Sequence, residues 1–431
     1  MPKAIISNRI YLDNPGPEAT KKIADTLTYK IKKDTGNKNF TSIETIRNYK
    51  ILVGGVVSIP QGRQDLIPEG YDLVDKRTLM PVPFPDPKFP LRPDQREVYD
   101  QVCDTVFINA LVGWGKTFAA LHLAHKLGQK TLVITHTTAL RDQWCEEIEI
   151  LFGAPCGIIG SGQVDYEDHF ITVSNVQTLV KHVDKITKEF GTVILDEAHH
   201  CPATTFAKII DSFYARYRIA LSGTMFRKDQ KHVLFADYFG HDVIRPPQAN
   251  TMTPIVHAVR SGITLKPDVP WVEKINHLTQ DPKYQRFIAE VAQLQIAGGH
   301  SVLIVADRVD FLQQVQQMLG DQCLLVTGET DYESRQRAKQ QILSGEKKAI
   351  AGSRQIFSEG ISINILSCLI LAVPISNDGL LEQLIGRVQR QFEHKQQPLV
   401  IDIQFAGRAD KKQNNDRLGF YLRKGWEVIT V

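Results

Sequence analysis

The stretch TVFINALVGWGKT, residues 105–117, decides the architecture. Its first half, TVFINA, is a short apolar run without alternation, the pattern of a strand buried on both faces. Its second half turns on Gly113 and Gly115 and opens KTFAALHLAHKLG, an apolar run of helical length. Strand, glycine turn and helix in direct succession form the repeating unit of a parallel sheet covered by helices. ALVGWGKT, Ala110–Thr117, follows the phosphate-cradling pattern GxxxxGK(S/T) at every place but the first, where Ala110 replaces glycine. Gly113 and Gly115 let successive backbone N–H groups face phosphate oxygens. Lys116 supplies a point charge at the β and γ phosphates, and Thr117 a hydroxyl for Mg²⁺. The expected cofactors are therefore ATP and Mg²⁺.

Outward from that stretch, strand-length apolar runs recur between helical patterns: TLVIT at 131–135, FITVS at 170–174, TVILD at 192–196 and YRIAL at 217–221. The pattern fades at Arg245-Pro246-Pro247, a predicted hinge. It resumes with SVLIVA at 301–306, CLLVT at 323–327, KKAIAG at 347–352, CLILAV at 368–373 and PLVIDI at 398–403. Two parallel α/β domains in tandem follow. Upstream, six prolines in MPVPFPDPKFPLRP, residues 80–93, forbid regular structure and predict an extended linker. A compact α+β module precedes it, with a strand near Ala4–Leu12, a helix near Glu18–Lys32 and strands near Tyr49–Ile59 about Gly54-Gly55. The expected boundaries are 1–86, 87–248 and 249–431.

The 431 residues exceed one compact core, and a hydrophobic share of 42% with a charged share of 23% suits a multidomain globular chain. No apolar run reaches the length of a membrane span, and the start lacks the pattern of a signal peptide, so a cytoplasmic location is expected. Six scattered cysteines, with no CxxC pair, suggest free thiols. The net charge of +3 is small but unevenly spread: residues 21–50 carry eight Lys/Arg against three Asp/Glu, including Lys30, Lys32 and Lys33. That cluster is a candidate grip on nucleic-acid phosphate.

TVILDEAHH, residues 192–200, supplies a second half for the nucleotide site. Asp196 and Glu197 emerge at the carboxyl end of a buried strand, where ligands of open α/β sheets gather. Asp196 is placed to hold the hydration shell of Mg²⁺, and Glu197 to orient and deprotonate the attacking water.

With DEAH at 196–199 and ALVGWGKT before it, the chain resembles the superfamily-two helicases, and the resemblance runs in order through residues 89–403. It implies two RecA-like domains that close around ATP. LRPDQ resembles the adenine-reading motif, with Gln95 on the base and Arg92 and Phe89 flanking it. VITHTTALRDQW, residues 133–144, resembles a motif that touches the nucleic-acid backbone, through Thr135, His136 and Thr137, and TVSNVQTL resembles the next, through Thr178. LSGT resembles the coupling motif, in which Ser222 and Thr224 bond to the DEAH segment and His199 transmits nucleotide state. In the second domain, VTGETDYESR offers Thr327 and Gly328 to phosphate. SEGIS resembles the fifth motif, with Gly360 near the nucleotide and Ser362 where the family often has Asp. LLEQLIGRVQR resembles the sixth, with Gln383, Arg387 and Arg390 on one helical face and the arginines acting on the γ-phosphoryl charge.

The QW after the backbone-contacting motif, the SEGISI wording and the small leading domain look most like phage recombination helicases of the UvsW type, and more distantly the RecG and XPB groups. This likeness implies action on branched DNA, with single-stranded and branched duplex DNA as partner, no membrane, and a monomer without an obligatory protein partner. Two other classes fit the core motifs: an RNA helicase, and a nucleic-acid-stimulated ATP switch that clamps without unwinding.

Overall fold

The computed structural model describes all residues except 35–40, 111–112, 199–202, 224–230, 248–250 and 360–362; for 32–34, 41–42, 203–204, 206, 232, 358–359 and 408–409 it describes the backbone only. Two compact units result, one of Met1–Leu111 with Gly115–Pro247, the other of Val112–Trp114 with Gln248–Val431.

The first unit contains an eight-stranded sheet ordered Gln163–Asp165, Gly157–Gly160, Ile171–Asn175, Thr131–Thr135, Thr192–Leu195, Tyr217–Ser222, Val106–Asn109 and Val243–Ile244. All neighbours run parallel except Gln163–Asp165. Leu132, Val133 and Ile134 are fully buried, as a strand covered on both faces requires. The strands Thr192–Leu195 and Tyr217–Ser222 insert between Val106–Asn109 and Thr131–Thr135, so the chain order switches beside the glycine turn. Every loop after a parallel strand opens at the same sheet edge, and the crevice at such a switch is where ligands of this architecture bind.

The second unit holds a seven-stranded, wholly parallel sheet ordered Cys323–Val326, Ala349–Ser353, Val302–Ala306, Cys368–Leu371, Leu399–Gln404, Ile255–Arg260 and Glu427–Thr430. Side chains alternate between its faces: Val302, Ile304, Cys368 and Ile370 enter one core, Leu303, Val305, Leu369 and Leu371 the other. Asp402 is buried on one of these strands, where it pairs with Arg417 at 2.9 Å.

Residues 1–75 form a five-stranded sheet, a helix at Gly16–Thr26 and a two-stranded ribbon of Thr28–Asp34 with Thr41–Arg47. The region expected as one strand near Ala4–Leu12 is a tight hairpin, Lys3–Ile6 paired with Arg9–Leu12. The helix expected to reach Lys32 stops at Thr26, which places Lys30, Lys32 and Lys33 on a strand. Alternation of Tyr29 and Ile31 with lysines is the period-two pattern of a ribbon, and it outweighs the helix propensity of lysine.

This small domain is not loosely tethered. Its core is modest, built on Ala4, Ile6, Ile10, Leu12, Ile23, Leu27, Val57, Ile59 and Leu66, and several of its polar groups bond to the eight-stranded sheet domain. Arg9 pairs with Asp211, Asn8 Nδ2 donates to the Asp211 carbonyl at 2.7 Å, and buried Arg218 donates to the Asn8 carbonyl at 2.9 Å. Asp237, with no exposed surface, accepts from Tyr29 Oη at 2.8 Å, Asn48 Nδ2 at 2.7 Å and Arg63 Nη1 at 3.2 Å. Gly62 permits this approach: a Cβ there would lie 2.5 Å from the Gly240 nitrogen. The proline-rich segment is extended, as expected, but laid down as a strap. Prolines at alternate positions leave the intervening residues free to bond, so Val82 N donates to Gly128 O, Lys88 N to Leu151 O, and Met80 O accepts from Lys130 N. Phe84 packs edge-on against Phe152 and Phe170. The fold is thus α/β, two parallel-sheet domains in tandem behind a small α+β domain.

Candidate functional site

The glycine turn and the acidic pair meet at the sheet edge. Gly113 and Gly115 have φ of 91° and 89°, conformations that favour glycine, and Gly115 caps the helix Lys116–Leu127. A Cβ on Gly115 would stand 2.6 Å from Gln95 Nε2 and 3.4 Å from Arg92 Nη1. The turn leaves the amino-terminal end of the helix directed at the crevice, an arrangement suited to anions. Lys116 Nζ donates to the Ala110 carbonyl at 3.1 Å and lies 3.5 Å from Glu197 Oε1. Thr117 follows in the first turn of the helix.

Asp196 is 5% exposed, a carboxylate set at the end of a buried strand. Trp144 Nε1 donates to its Oδ2 at 2.8 Å and Glu197 N to its Oδ1 at 2.9 Å. Burial, reinforced by the neighbouring Glu197 charge, pushes the Asp196 carboxyl up to about 6. Glu197 has φ of 47°, a left-handed conformation costly for a residue with a side chain. Trp144 was legible in the sequence only as part of QW. Its place on helix Thr138–Phe152 beside Leu140 and Ile148 marks it as core, and only the fold reveals that its N–H serves Asp196.

Gln95 is fully buried on helix Pro93–Gln101, where its Oε1 accepts from Arg92 N at 3.2 Å and its Nε2 donates to Gly115 O at 3.3 Å. It braces the glycine turn. Arg92 forms a two-pronged pair with Asp94, at 3.2 and 3.1 Å, and Phe89 is half-exposed. Ser222 ends its strand fully buried, and its carbonyl accepts from Ala110 N at 3.0 Å. His199, Thr224, Gly360 and Ser362 lie outside the described residues, as do the side chains of Lys32 and Lys33; Lys30 is exposed.

The expected backbone-contacting residues divide. Thr135 is fully buried, with its hydroxyl donating to Ser174 O and Thr137 O at 3.3 Å, so it shapes the loop and cannot touch a ligand here. Thr137 caps helix Thr138–Phe152, accepting from Leu140 N. His136 and Thr178 are half-exposed. Thr327 is buried, with its Oγ accepting from Glu329 N at 3.3 Å, while Gly328 beside it is exposed.

In the second unit, Gln383 and Arg387 lie on helix Asp378–Val388, both buried, and Arg387 Nε donates to Phe357 O at 2.7 Å. Arg390 does not share that helix. The helix ends at Val388 because the next residues pair with another segment: Met252 N donates to Gln389 O, and Thr251 bridges Arg390. Arg390 Nη1 donates to Asn364 Oδ1 at 3.2 Å.

Comparison with known proteins agrees with this geometry. A family model described as type III restriction enzyme, res subunit, matches residues 88–227, and one described as helicase conserved C-terminal domain matches residues 283–391. A probable helicase, D10, of Escherichia phage T5 is 41% identical over all of this chain and 96% of its own length. A putative ATP-dependent RNA helicase, L396, of Acanthamoeba polyphaga mimivirus is 26% identical over 78% of this chain and 69% of its own length. Among solved structures, S. cerevisiae Dbp5 bound to RNA and ADP BeF3 shares the fold at a TM-score of 0.57, with 12% identity over 78% of this chain and 88% of that one. The glycine turn and acidic pair at one sheet edge, together with the two matched domains and the phage T5 relative, make this chain a nucleic-acid-dependent ATPase that belongs to the superfamily-two helicases.

Proposed function

We propose that this helicase uses ATP and Mg²⁺ to move on DNA and to remodel branched DNA such as forks and four-way junctions. The nucleotide half rests on fit. The left-handed glycines, the helix end they open and the paired charges of Lys116, Asp196 and Glu197 suit a Mg²⁺-bound triphosphate. ATP supplies the phosphoanhydride bond, and Mg²⁺ neutralises its phosphate charge. Thr117 and Asp196 would hold the ion, with Trp144 fixing the Asp196 carboxylate. Lys116 neutralises phosphate, and Glu197 accepts the proton of the attacking water. Arg387 and Arg390 would act on the transition-state charge of the γ-phosphoryl, the role that the resemblance implies for them.

The observation that carries the branched-DNA reading is the locked small domain. Its basic ribbon is fixed to the first parallel-sheet domain through Tyr29 on Asp237 and Glu44 on Lys231, and the adjoining small sheet through Arg9 on Asp211, so a duplex arm held there is carried with the motor. The likeness in wording to UvsW-type phage helicases supports it. A second reading, action on RNA, is favoured by the name of the mimivirus relative. ATPase measured with single-stranded RNA, linear duplex DNA and a four-way junction separates them, and strand displacement separates both from a static clamp. Greatest stimulation by the junction, with displacement of its arms, is expected; stimulation by RNA alone would overturn the DNA reading.

A further inference from the structure

We infer that the cleft between the small domain and the first parallel-sheet domain is a groove for an unpaired nucleic-acid strand. The cleft has a volume of about 620 Å³ and is lined from one side by Tyr11, Arg47, Tyr49 and Lys50, and from the other by Lys208 and Lys231. Its two lining carboxylates are already engaged, Glu44 by Lys231 at 2.7 Å and Asp211 by Arg9. Five cations, Arg9 included, against those two carboxylates leave a net charge of +3 on the lining. Arg47, Lys50 and Lys208 are exposed, and their charged ends have no hydrogen-bond or salt-bridge partner among the described residues.

Charge alone would fit any polyanion; the rest of the lining narrows the choice. Tyr11, Tyr49, Ile46 and Leu52 give the cleft apolar faces between the cations. Beside it the turn that follows Lys50 leaves Ile51 and Val53 62% and 99% exposed, held out by Gly54 and Gly55 at φ of 80° and 79°. A duplex offers phosphates on its outside but keeps its base faces stacked within. An unpaired strand offers both, and a basic groove with aromatic platforms is the surface that binds it without regard to sequence. A cleft of about 620 Å³ has room for a short run of single strand. Lys30 does not line it, and of the exposed face of the ribbon only Arg47, at its end, reaches the groove. The inference rests on nucleic-acid binding and not on the branched-DNA reading.

The test uses the full chain and a fluorescein-labelled oligothymidylate, with a duplex of equal length beside it. Arg47→Glu, Lys50→Glu and Lys208→Glu together should weaken oligothymidylate binding at least about tenfold. The slope of log affinity against log salt should become shallower by roughly 2, at about 0.7 for each phosphate no longer neutralised. Duplex affinity should change far less, and ATPase without nucleic acid should not change. Tyr11→Ala should weaken the single strand by about 5- to 150-fold, as removal of a stacking platform does, with the salt slope intact. Lys21→Glu with Lys22→Glu, exposed on the neighbouring helix, should leave the slope near that of the unaltered chain. Unchanged affinity and slope in the triple variant would overturn the groove, as would an equal loss in the Lys21/Lys22 variant or a loss confined to the duplex. None of those results would touch the helicase reading, which fails only if neither DNA nor RNA stimulates the unaltered ATPase.

Discussion

Asp237 accepts hydrogen bonds from Tyr29, Asn48 and Arg63, whereas Asp196, in the same unit and almost as deeply buried, accepts one from the Trp144 indole and one from its neighbour's backbone. Burial raises the carboxyl of both. At Asp237 three side-chain donors and the Arg63 charge pull the other way; at Asp196 the adjacent Glu197 carboxylate adds to the penalty. A buried charge paired inside the protein holds domains together, and a buried charge crowded by a second carboxylate asks for a cation from outside. The first belongs to the fold, the second to the chemistry.

The comparison breaks most sharply at Lys116. Lys116→Ala should abolish ATP hydrolysis while melting temperature stays close to that of the unaltered chain, because its Nζ contacts only Ala110 O and Glu197 among the described residues. Normal turnover in this variant would sink the nucleotide site. Glu197→Gln should retain nucleotide binding and lose about 10²- to 10⁴-fold in turnover, the usual contribution of a general base; a loss under about tenfold assigns the water to another residue.

Asp237→Ala should have the opposite signature. It leaves the Tyr29 hydroxyl and the Asn48 amide without their acceptor, while Arg63 keeps its pair with Asp65 at 2.9 Å, so the first unit loses about 1–3 kcal/mol for each donor left unsatisfied and ATPase per folded molecule holds. Denaturant titration and an activity assay on the same sample check this, and a stable but inactive variant would reverse the roles given to the two carboxylates. Trp144→Phe sharpens the contrast most finely. It keeps an aromatic ring in the core but removes a hydrogen bond to a charged acceptor, which is about 1.5–3 kcal/mol. The Mg²⁺ concentration for half-maximal ATPase, and for binding of a fluorescent nucleotide, should rise about 10- to 100-fold. Equal Mg²⁺ dependence would make Trp144 a packing residue only.

The expectation that failed most clearly was that of a tethered leading module. The prolines from Pro81 to Pro90 do keep the segment out of helices and named strands, while Pro93 opens a helix, but whether an extended segment spans solvent or lies on a surface depends on partners that sequence order does not display. Gly128, Lys130 and Leu151, far along the chain, supply the backbone groups that pin it. The lysines of residues 30–33 misled for a local reason, since lysine favours helix while the Tyr29/Ile31 alternation favours strand, and the pairing with Thr41–Arg47 settles it.

By itself, the sequence determined the two parallel sheets, because continuous apolar runs between helical patterns bury both faces in only one common way. It also determined the glycine turn and the acidic pair, whose chemistry needs residue types at fixed local spacing. Tertiary structure alone decided that Trp144 serves Asp196, that Gln95 braces Gly115, that Arg390 leaves its helix and that Asp237 ties the small domain down. Each of these depends on a directional hydrogen bond or pairing between segments distant in sequence, and such a bond leaves no periodic trace in either partner.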